Sequence, residues 1–147
     1  MGLGSNAMLV FVLLAASLVA SNGNTGQGRT IIVGGSQGWR SGVNYTDWAI
    51  RNSPFYINDK LVFKYGPPSG RNPPHSVYSL PSLWNYGRCD FTGARLLANP
   101  KQGKGVGFTY VVDQWKVHYF ASGEDNGRNC KDELMRFFVV PWPRPSE

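Results

Sequence analysis

The sequence predicts an all-β fold, a Greek-key sandwich or barrel of about seven strands with one or two short helices. The 147 residues include 18 glycines and 10 prolines, so few stretches favour a helix. Apolar residues alternate with polar ones in several short runs, and turn-forming residues separate these runs every 8–12 residues or so. A hydrophobic content of 41%, with 14% aromatic residues, is enough for one packed domain.

The chain begins with an apolar segment that precedes this domain. Residues 8–20 are apolar apart from Ser17 and are followed by the small residues of Ser21–Gly23, although no lysine or arginine precedes them. The segment is shorter than the roughly 20 residues of a membrane span. It predicts a secretory signal peptide over residues 1–23, with cleavage between Ala20 and Gly28.

The predicted linker, domain and tail follow as residues 24–29, 30–141 and 142–147. Thr30–Val33 is a β-branched run that predicts the first strand. Trp39–Ile50 contains three aromatic residues and predicts a loop with one helical turn, its aromatic rings held against the core.

The middle of the chain predicts two strands joined by a turn, then a break, a further strand and a short helix. Phe55–Tyr65 indicates two strands about an Asn58-Asp59 turn, and three apolar side chains of the second strand share a face: Leu61, Phe63 and Tyr65. Gly66–Pro74 holds four prolines and cannot be a central strand. His75–Leu80 predicts a strand and Pro81–Arg88 a short helix.

The last third predicts four strands, beginning with Arg95–Ala98. The second, Gly105–Val112, places four residues on one face: Val106, Phe108, Tyr110 and Val112. The third, Trp115–Ala121, alternates with Val117, Tyr119 and Ala121 on one face, which puts His118 on the other face near the surface. After a polar loop, Glu133–Val140 places Met135, Phe137 and Val139 together.

Two motifs depend on secretion. Cys89 and Cys130 are the only cysteines, and in a secreted chain they are expected to pair. The bridge would close a loop of about 40 residues and contribute about 4 kcal/mol. Asn44-Tyr45-Thr46 is the one usable N-glycosylation sequon, so Asn44 is expected in an exposed loop.

The charge limits the choice of partners. The net charge is +6 and the isoelectric point is about 9.6, which suits nucleic acid, an anionic membrane or an acidic polysaccharide. The lysines and arginines are scattered rather than clustered, which favours the alternative of a solvated basic surface with no dedicated partner. We predict no nucleic-acid partner. Tryptophan side chains could stack on sugar rings, but at least three of five are expected in the core: Trp39, Trp48, Trp84, Trp115 and Trp142.

Several of these pieces occur together, in order, in one known family. They are V-G-G-S-Q-G-W (Val33–Trp39), V-N-Y-T-D-W (Val43–Trp48), D-K-L-V-F-K-Y (Asp59–Tyr65), H-S-V (His75–Val77), Cys89 and H-Y-F (His118–Phe120). The chain resembles the phytocyanins of plants, small blue copper proteins that include plantacyanins, stellacyanins, uclacyanins and early nodulin-like proteins. The resemblance implies a cupredoxin fold, a disulfide equivalent to Cys89–Cys130, and placement outside the cell or at its surface.

The family pattern also implies where copper ligands would lie. His75 matches the first histidine, whereas Ser122 stands in place of the cysteine, Asn129 in place of the second histidine and Leu134 in place of the axial residue. Met135 is one position away, where it is either a displaced axial ligand or a core residue. A blue copper site needs two imidazoles and a thiolate, so we predict no metal site and no cofactor.

Three functional hypotheses follow. The first is a copper-free, non-enzymatic module of the cell surface or wall, a monomer that binds acidic polysaccharide or glycoprotein. The second is a small extracellular electron-transfer copper protein, which the resemblance alone implies. The third is a hydrolase using His75 and His118, which no motif supports. The chain ends at Pro145–Glu147 without a hydrophobic tail, so no lipid-anchor signal is expected unless the chain ends early.

Overall fold

A computed structural model describes residues 28–146 and places nine strands in three sheets, with three short α-helices. The predicted all-β class is confirmed. The strands are β1 (Thr30–Ile32), β2 (Phe55–Tyr56), β3 (Lys60–Phe63), β4 (Val77–Leu80), β5 (Arg95–Ala98), β6 (Phe108–Val111), β7 (His118–Ala121), β8 (Arg136–Val139) and β9 (Pro141–Trp142). The helices are α1 (Tyr45–Asn52), α2 (Leu83–Arg88) and α3 (Arg128–Lys131), and a 3-10 turn covers Gly35–Gln37.

The strands form a sandwich of two main sheets. One sheet has the order β1-β3-β6, with β1 parallel and β6 antiparallel to β3. The other is antiparallel throughout, with the order β5-β4-β7-β8. The short strands β2 and β9 pair in parallel as a separate sheet. Two of the nine strands are only two residues long, which is why the sequence pattern predicts about seven.

Aromatic rings fill the space between the sheets. Phe63 of β3 lies with its ring centroid 5.5 Å from that of Phe120 in β7, and Phe120 lies 5.2 Å from Phe137 in β8. Trp39 packs edge-on against Phe63 at 5.3 Å. The predicted inward face of the last strand is confirmed, since three residues are at most 1% exposed: Met135, Phe137 and Val139.

A buried carboxylate joins the two ends of the folded chain. Asp59 is fully buried and accepts hydrogen bonds from the guanidinium groups of Arg29, at 2.7 Å, and Arg144, at 2.8 Å. Arg29 precedes β1 and Arg144 follows β9. The packed part of the chain therefore extends beyond residues 30–141, where the sequence places the domain.

The segment Trp39–Ile50 contains more helix than the single turn predicted. Helix α1 has two turns because Asn44 caps it, its Oδ1 accepting a hydrogen bond from the backbone N–H of Asp47 at 3.1 Å. An ion pair between Asp47 and Arg51 supports the helix surface. The prediction that its aromatic residues meet the core holds, because Tyr45 is fully buried.

Two predictions about side-chain orientation are wrong. His118 is only 3% exposed, because in β7 the residues that face the core are His118 and Phe120. Alternation identifies the two faces of a strand but does not show which one points inward. Val106 is 86% exposed, because Gly105 and Gly107 adopt positive φ angles and form a turn before β6 begins at Phe108.

The prediction for the tryptophans is also wrong. Trp39 is buried and Trp48 packs partly buried against the core. The other three are 60–64% exposed: Trp84, Trp115 and Trp142. Each lies in a short helix, a turn or a terminal strand, where few neighbouring residues can cover a large ring.

The predicted signal peptide and most of the predicted linker lie outside the described residues. Among residues 28–146, no helix is long and apolar enough to cross a membrane.

Candidate functional site

Three of the four residues at the expected copper-ligand positions meet at one end of the sandwich. His75 lies just before β4, Ser122 directly after β7, and Asn129 in α3. All three are at most 4% exposed. Adjacent strands β4 and β7 bring the first two together, and α3 returns the chain over them.

The side chain of Asn129 occupies the centre of this site. Its Oδ1 accepts a hydrogen bond from Ser122 Oγ at 2.9 Å and lies 2.7 Å from His75 Nδ1. Because an amide oxygen can only accept, Nδ1 of His75 carries the proton. The nitrogen that faces the centre of the site is thus a hydrogen-bond donor with no lone pair for a metal ion.

The network continues from the amide nitrogen toward the surface. Asn129 Nδ2 donates to Glu133 Oε2 at 2.9 Å, and Ser41 Oγ donates to the same oxygen at 2.7 Å. The Glu133 carboxylate orients the amide, because it requires a donor and so directs Oδ1 toward His75 and Ser122. Buried polar groups that are all paired in this way stabilise one arrangement of the site.

Ser76 supports the site from the neighbouring position. Its backbone N–H donates to Ser122 Oγ at 3.1 Å, and its own hydroxyl accepts from the backbone N–H of Gly123 at 3.1 Å. Its carbonyl accepts from Trp39 Nε1 at 2.9 Å. The hydroxyl of Ser122 therefore has both a donor and an acceptor and needs no further partner.

The fourth expected position is turned away from the other three. Leu134 is 45% exposed and adopts a positive φ of 59°. Met135, one residue on, is fully buried within the main aromatic core. The interpretation of Met135 as a core residue is therefore favoured over that of a displaced axial ligand.

The disulfide adjoins the site. Cys130 follows Asn129 in α3 and is bonded to Cys89 at the end of α2, with their Cα atoms 5.9 Å apart. The predicted pairing is present. Both sulfur atoms are committed to this bond, so neither supplies a thiolate.

The residues of the site do not fit a blue copper centre. Such a centre needs two imidazoles and a thiolate, whereas this site offers one protonated imidazole nitrogen, a hydroxyl and an amide oxygen. The last two are hard, weakly binding groups. Among residues 28–146, no three His, Cys, Asp or Glu side chains are grouped so as to hold a metal ion.

The second histidine belongs to a different network. His118 Nδ1 lies 2.9 Å from the Tyr110 hydroxyl, and its Nε2 lies 2.9 Å from the backbone oxygen of Gln114. Burial lowers the pKa of His118. Since Nε2 must donate to a carbonyl oxygen, Nδ1 accepts from Tyr110. His75 and His118 thus have separate partners, and nothing in their contacts supports joint catalysis.

The sequon lies at the surface, as the sequence predicts. Asn44 is exposed and precedes α1. Its Oδ1 caps the helix, and its Nδ2, the atom to which a glycan would be joined, makes no hydrogen bond to the described residues.

Comparison with solved structures identifies the fold. The chain is similar to cucumber basic protein, a blue copper protein, with a TM-score of 0.58 and 21% identity over 77% of this chain and 99% of that one. It is similar to cucumber stellacyanin with Cu2+, with a TM-score of 0.60 and 20% identity over 81% and 99%. No protein-family model matches, and no curated protein sequence matches significantly. The predicted cupredoxin-like fold is confirmed.

The two residues that complete the site, Ser41 and Glu133, are not predicted from the sequence. Glu133 and Ser41 lie 92 residues apart in the chain, yet share a hydrogen bond. No local pattern marks either one. The single signal was the polar character of Ser122 and Asn129 next to apolar strands, which indicates that buried partners are needed.

Proposed function

We propose that this chain is a secreted, phytocyanin-like protein without a blue copper centre that acts as a binding or structural module outside the cell. The observation that carries the proposal is the hydrogen-bonded network of His75, Ser122 and Asn129 at the expected ligand positions. These three positions do more than lack suitable copper ligands. They are filled by groups that satisfy one another, so a metal ion would have to break existing hydrogen bonds to enter.

Membership of the phytocyanins rests on two kinds of support. The fold is that of two cucumber copper proteins, and the motifs quoted above occur in the family order. The chain would differ from those two copper proteins in lacking the metal. An enzymatic role has no support from the arrangement of His75 and His118.

Placement outside the cell is supported by three features. These are the apolar segment at residues 8–20, the Cys89–Cys130 disulfide and the exposed sequon at Asn44. A disulfide persists in oxidising compartments, and N-glycosylation occurs in the secretory pathway.

Acidic cell-wall polysaccharide is the partner that the surface favours. Of the 15 lysines and arginines, only four form ion pairs with the described residues: Arg29, Arg51, Arg128 and Arg144. Three tryptophans are more than half exposed. Unpaired cations attract carboxylates, and exposed rings stack on sugars.

Metal analysis of the purified protein tests the first part of the proposal. The secreted protein is incubated with Cu(II), dialysed and analysed for bound copper, for free thiols and by visible spectroscopy. We expect no retained copper, no intense band at the red end of the visible range and no free thiol. Stoichiometric copper with a blue colour would show instead that the chain is an electron-transfer protein.

Binding to a wall polymer tests the second part. We expect immobilised polygalacturonate to retain the protein at low salt and to release it as salt rises, because salt screens exposed charges. A neutral glucan of similar length is the control. Equal retention on both polymers, or on neither, would contradict the proposal that the partner is acidic.

A further inference from the structure

An open polar groove lies between the two main sheets, at the turn that joins β6 to β7. Its volume is about 570 Å³, within the range of about 300–1,000 Å³ found for small-ligand sites. Polar side chains from four parts of the fold line it: Ser79, Arg95, Tyr110, Asp113, Gln114 and Lys116. We call this the β6–β7 groove.

Two unpaired cations flank the groove. Arg95 comes from β5, at the edge of its sheet, and Lys116 from the β6–β7 turn. Both are exposed, and neither side chain makes an ion pair or hydrogen bond with the described residues. Two cations on separate elements facing one groove can hold an anionic group without first breaking another contact.

The groove also offers fixed hydrogen-bonding groups. The Tyr110 hydroxyl donates to His118 Nδ1, as established above, so its oxygen is left to accept from a ligand hydroxyl. Ser79 and Gln114 can both donate and accept. The carboxylate of Asp113, which makes no ion pair with the described residues, can accept hydrogen bonds from sugar hydroxyls.

An exposed tryptophan belongs to the turn that supplies three of the groove residues. Trp115 stands between two groove residues, Gln114 and Lys116, and is 64% exposed. A ring with this much of its surface in solvent can pack against the apolar side of a sugar ring. Cations, hydroxyl-binding groups and a stacking ring together describe one class of ligand.

We infer that the β6–β7 groove binds an acidic oligosaccharide, with the sugar carboxylates at Arg95 and Lys116, hydroxyls at Asp113 and Tyr110, and one ring against Trp115. The inference rests on the proposed function and assigns it to one place on the surface. It requires residue-specific binding and not merely attraction to a basic protein.

Calorimetric titration with a purified galacturonic acid oligomer tests this site. We expect Arg95→Gln/Lys116→Gln to weaken binding by about tenfold or more, because the variant loses both cations that would contact the sugar carboxylates. The matched control is Lys64→Gln/Lys104→Gln, which removes the same charge from another groove. We expect that control to change affinity by no more than about twofold, since it alters only long-range attraction.

A second pair of variants tests the aromatic contact. Trp115→Ala should weaken binding by several-fold, whereas Trp84→Ala, which removes a ring of similar exposure from α2, should not. All four charged residues and both tryptophans are exposed, and circular dichroism would verify that each variant is folded.

The possible failures are distinguishable. If the oligomer binds but both double variants weaken binding equally, the groove assignment is overturned and the proposed partner class stands. If the unmodified protein does not bind the oligomer, both the groove and the acidic partner are overturned. The copper-free part of the proposed function is decided separately by metal analysis.

Discussion

At the scale of single residues, Asn129 determines what the end of the sandwich can do. Its amide oxygen accepts hydrogen bonds from both His75 and Ser122, and its amide nitrogen donates to Glu133. A histidine at this position would have one nitrogen free to bind metal, and a cysteine at position 122 would supply a thiolate. Two side chains thus separate a hydrogen-bonded site from a soft-metal site.

The double variant Ser122→Cys/Asn129→His should therefore gain a blue copper centre. The two imidazoles and the thiolate would supply the three strong ligands, and the axial contact is weak in such sites. We expect stoichiometric Cu(II) with an intense absorption band at the red end of the visible range.

Each single variant is the control and should remain without that band, because each provides only two of the three strong ligands. A folded double variant that binds no copper would show that positions 75, 122 and 129 are not arranged as a ligand set.

At the scale of the element, helix α1 shows one residue with two predicted roles. Asn44 caps the helix through Oδ1, while its Nδ2 is available for a glycan. The sequon marks Asn44 as a modification site in the sequence. The same residue is a typical helix N-cap, although the aromatic residues of the segment predict a loop with only one helical turn.

Three substitutions separate the two roles of Asn44. Asn44→Asp keeps the capping oxygen and Thr46→Ala keeps the cap itself, but both destroy the sequon. Asn44→Ala removes cap and sequon together. We expect all three to lose glycan mass in secreted protein, and only Asn44→Ala to lose about 1 kcal/mol of unfolding free energy when measured without glycan. An unmodified Asn44 in the secreted protein would contradict the first expectation.

The strands at the two ends of the folded chain depend on Asp59. Burial acts to raise the pKa of its carboxyl, but hydrogen bonds from Arg29, the Tyr56 backbone and Arg144 outweigh burial and lower it. A carboxyl with a lowered pKa stabilises the folded state above its unfolded-state pKa of about 4. That stabilisation is lost as the pH falls through the lower folded-state value.

Asp59→Asn should therefore lower the free energy of unfolding by about 2–3 kcal/mol at pH 7. This is less than the roughly 3–5 kcal/mol for a fully buried ion pair, because solvent screens the partly exposed arginines. Urea denaturation should show the difference shrinking as the pH falls below about 4. The control Asp125→Asn alters an exposed pair and should cost under about 1 kcal/mol. A difference that persists unchanged at low pH would contradict the role assigned to the charge.

At the scale of the whole molecule, one covalent link spans 41 residues of the sequence. Replacing both Cys89 and Cys130 by serine should reduce the free energy of unfolding by about 4 kcal/mol, because the unfolded chain regains the entropy of an open loop. Urea denaturation of the purified variant measures this. Retention of the original stability would show that the bridge constrains little.

The sequence predicts the sandwich because local alternation reports which residues share a face, as with Phe137 and Val139. It does not predict that His118 faces inward, since that depends on the partner sheet. The resemblance to the phytocyanins predicts that His75, Ser122 and Asn129 stand at copper-ligand positions. It does not predict their mutual hydrogen bonds, which join residues up to 54 positions apart. Such contacts depend on how the sheets pack, and no short stretch of sequence encodes that packing.

Arg29 and Arg144 both form ion pairs with the Asp59 carboxylate. The first and last residues of the fold therefore lie near each other. Segments fused at the two ends of this fold would therefore be attached close to each other. A short peptide linker between the two ends should then allow a circular permutation, with new termini in the proline-rich segment Gly66–Pro74.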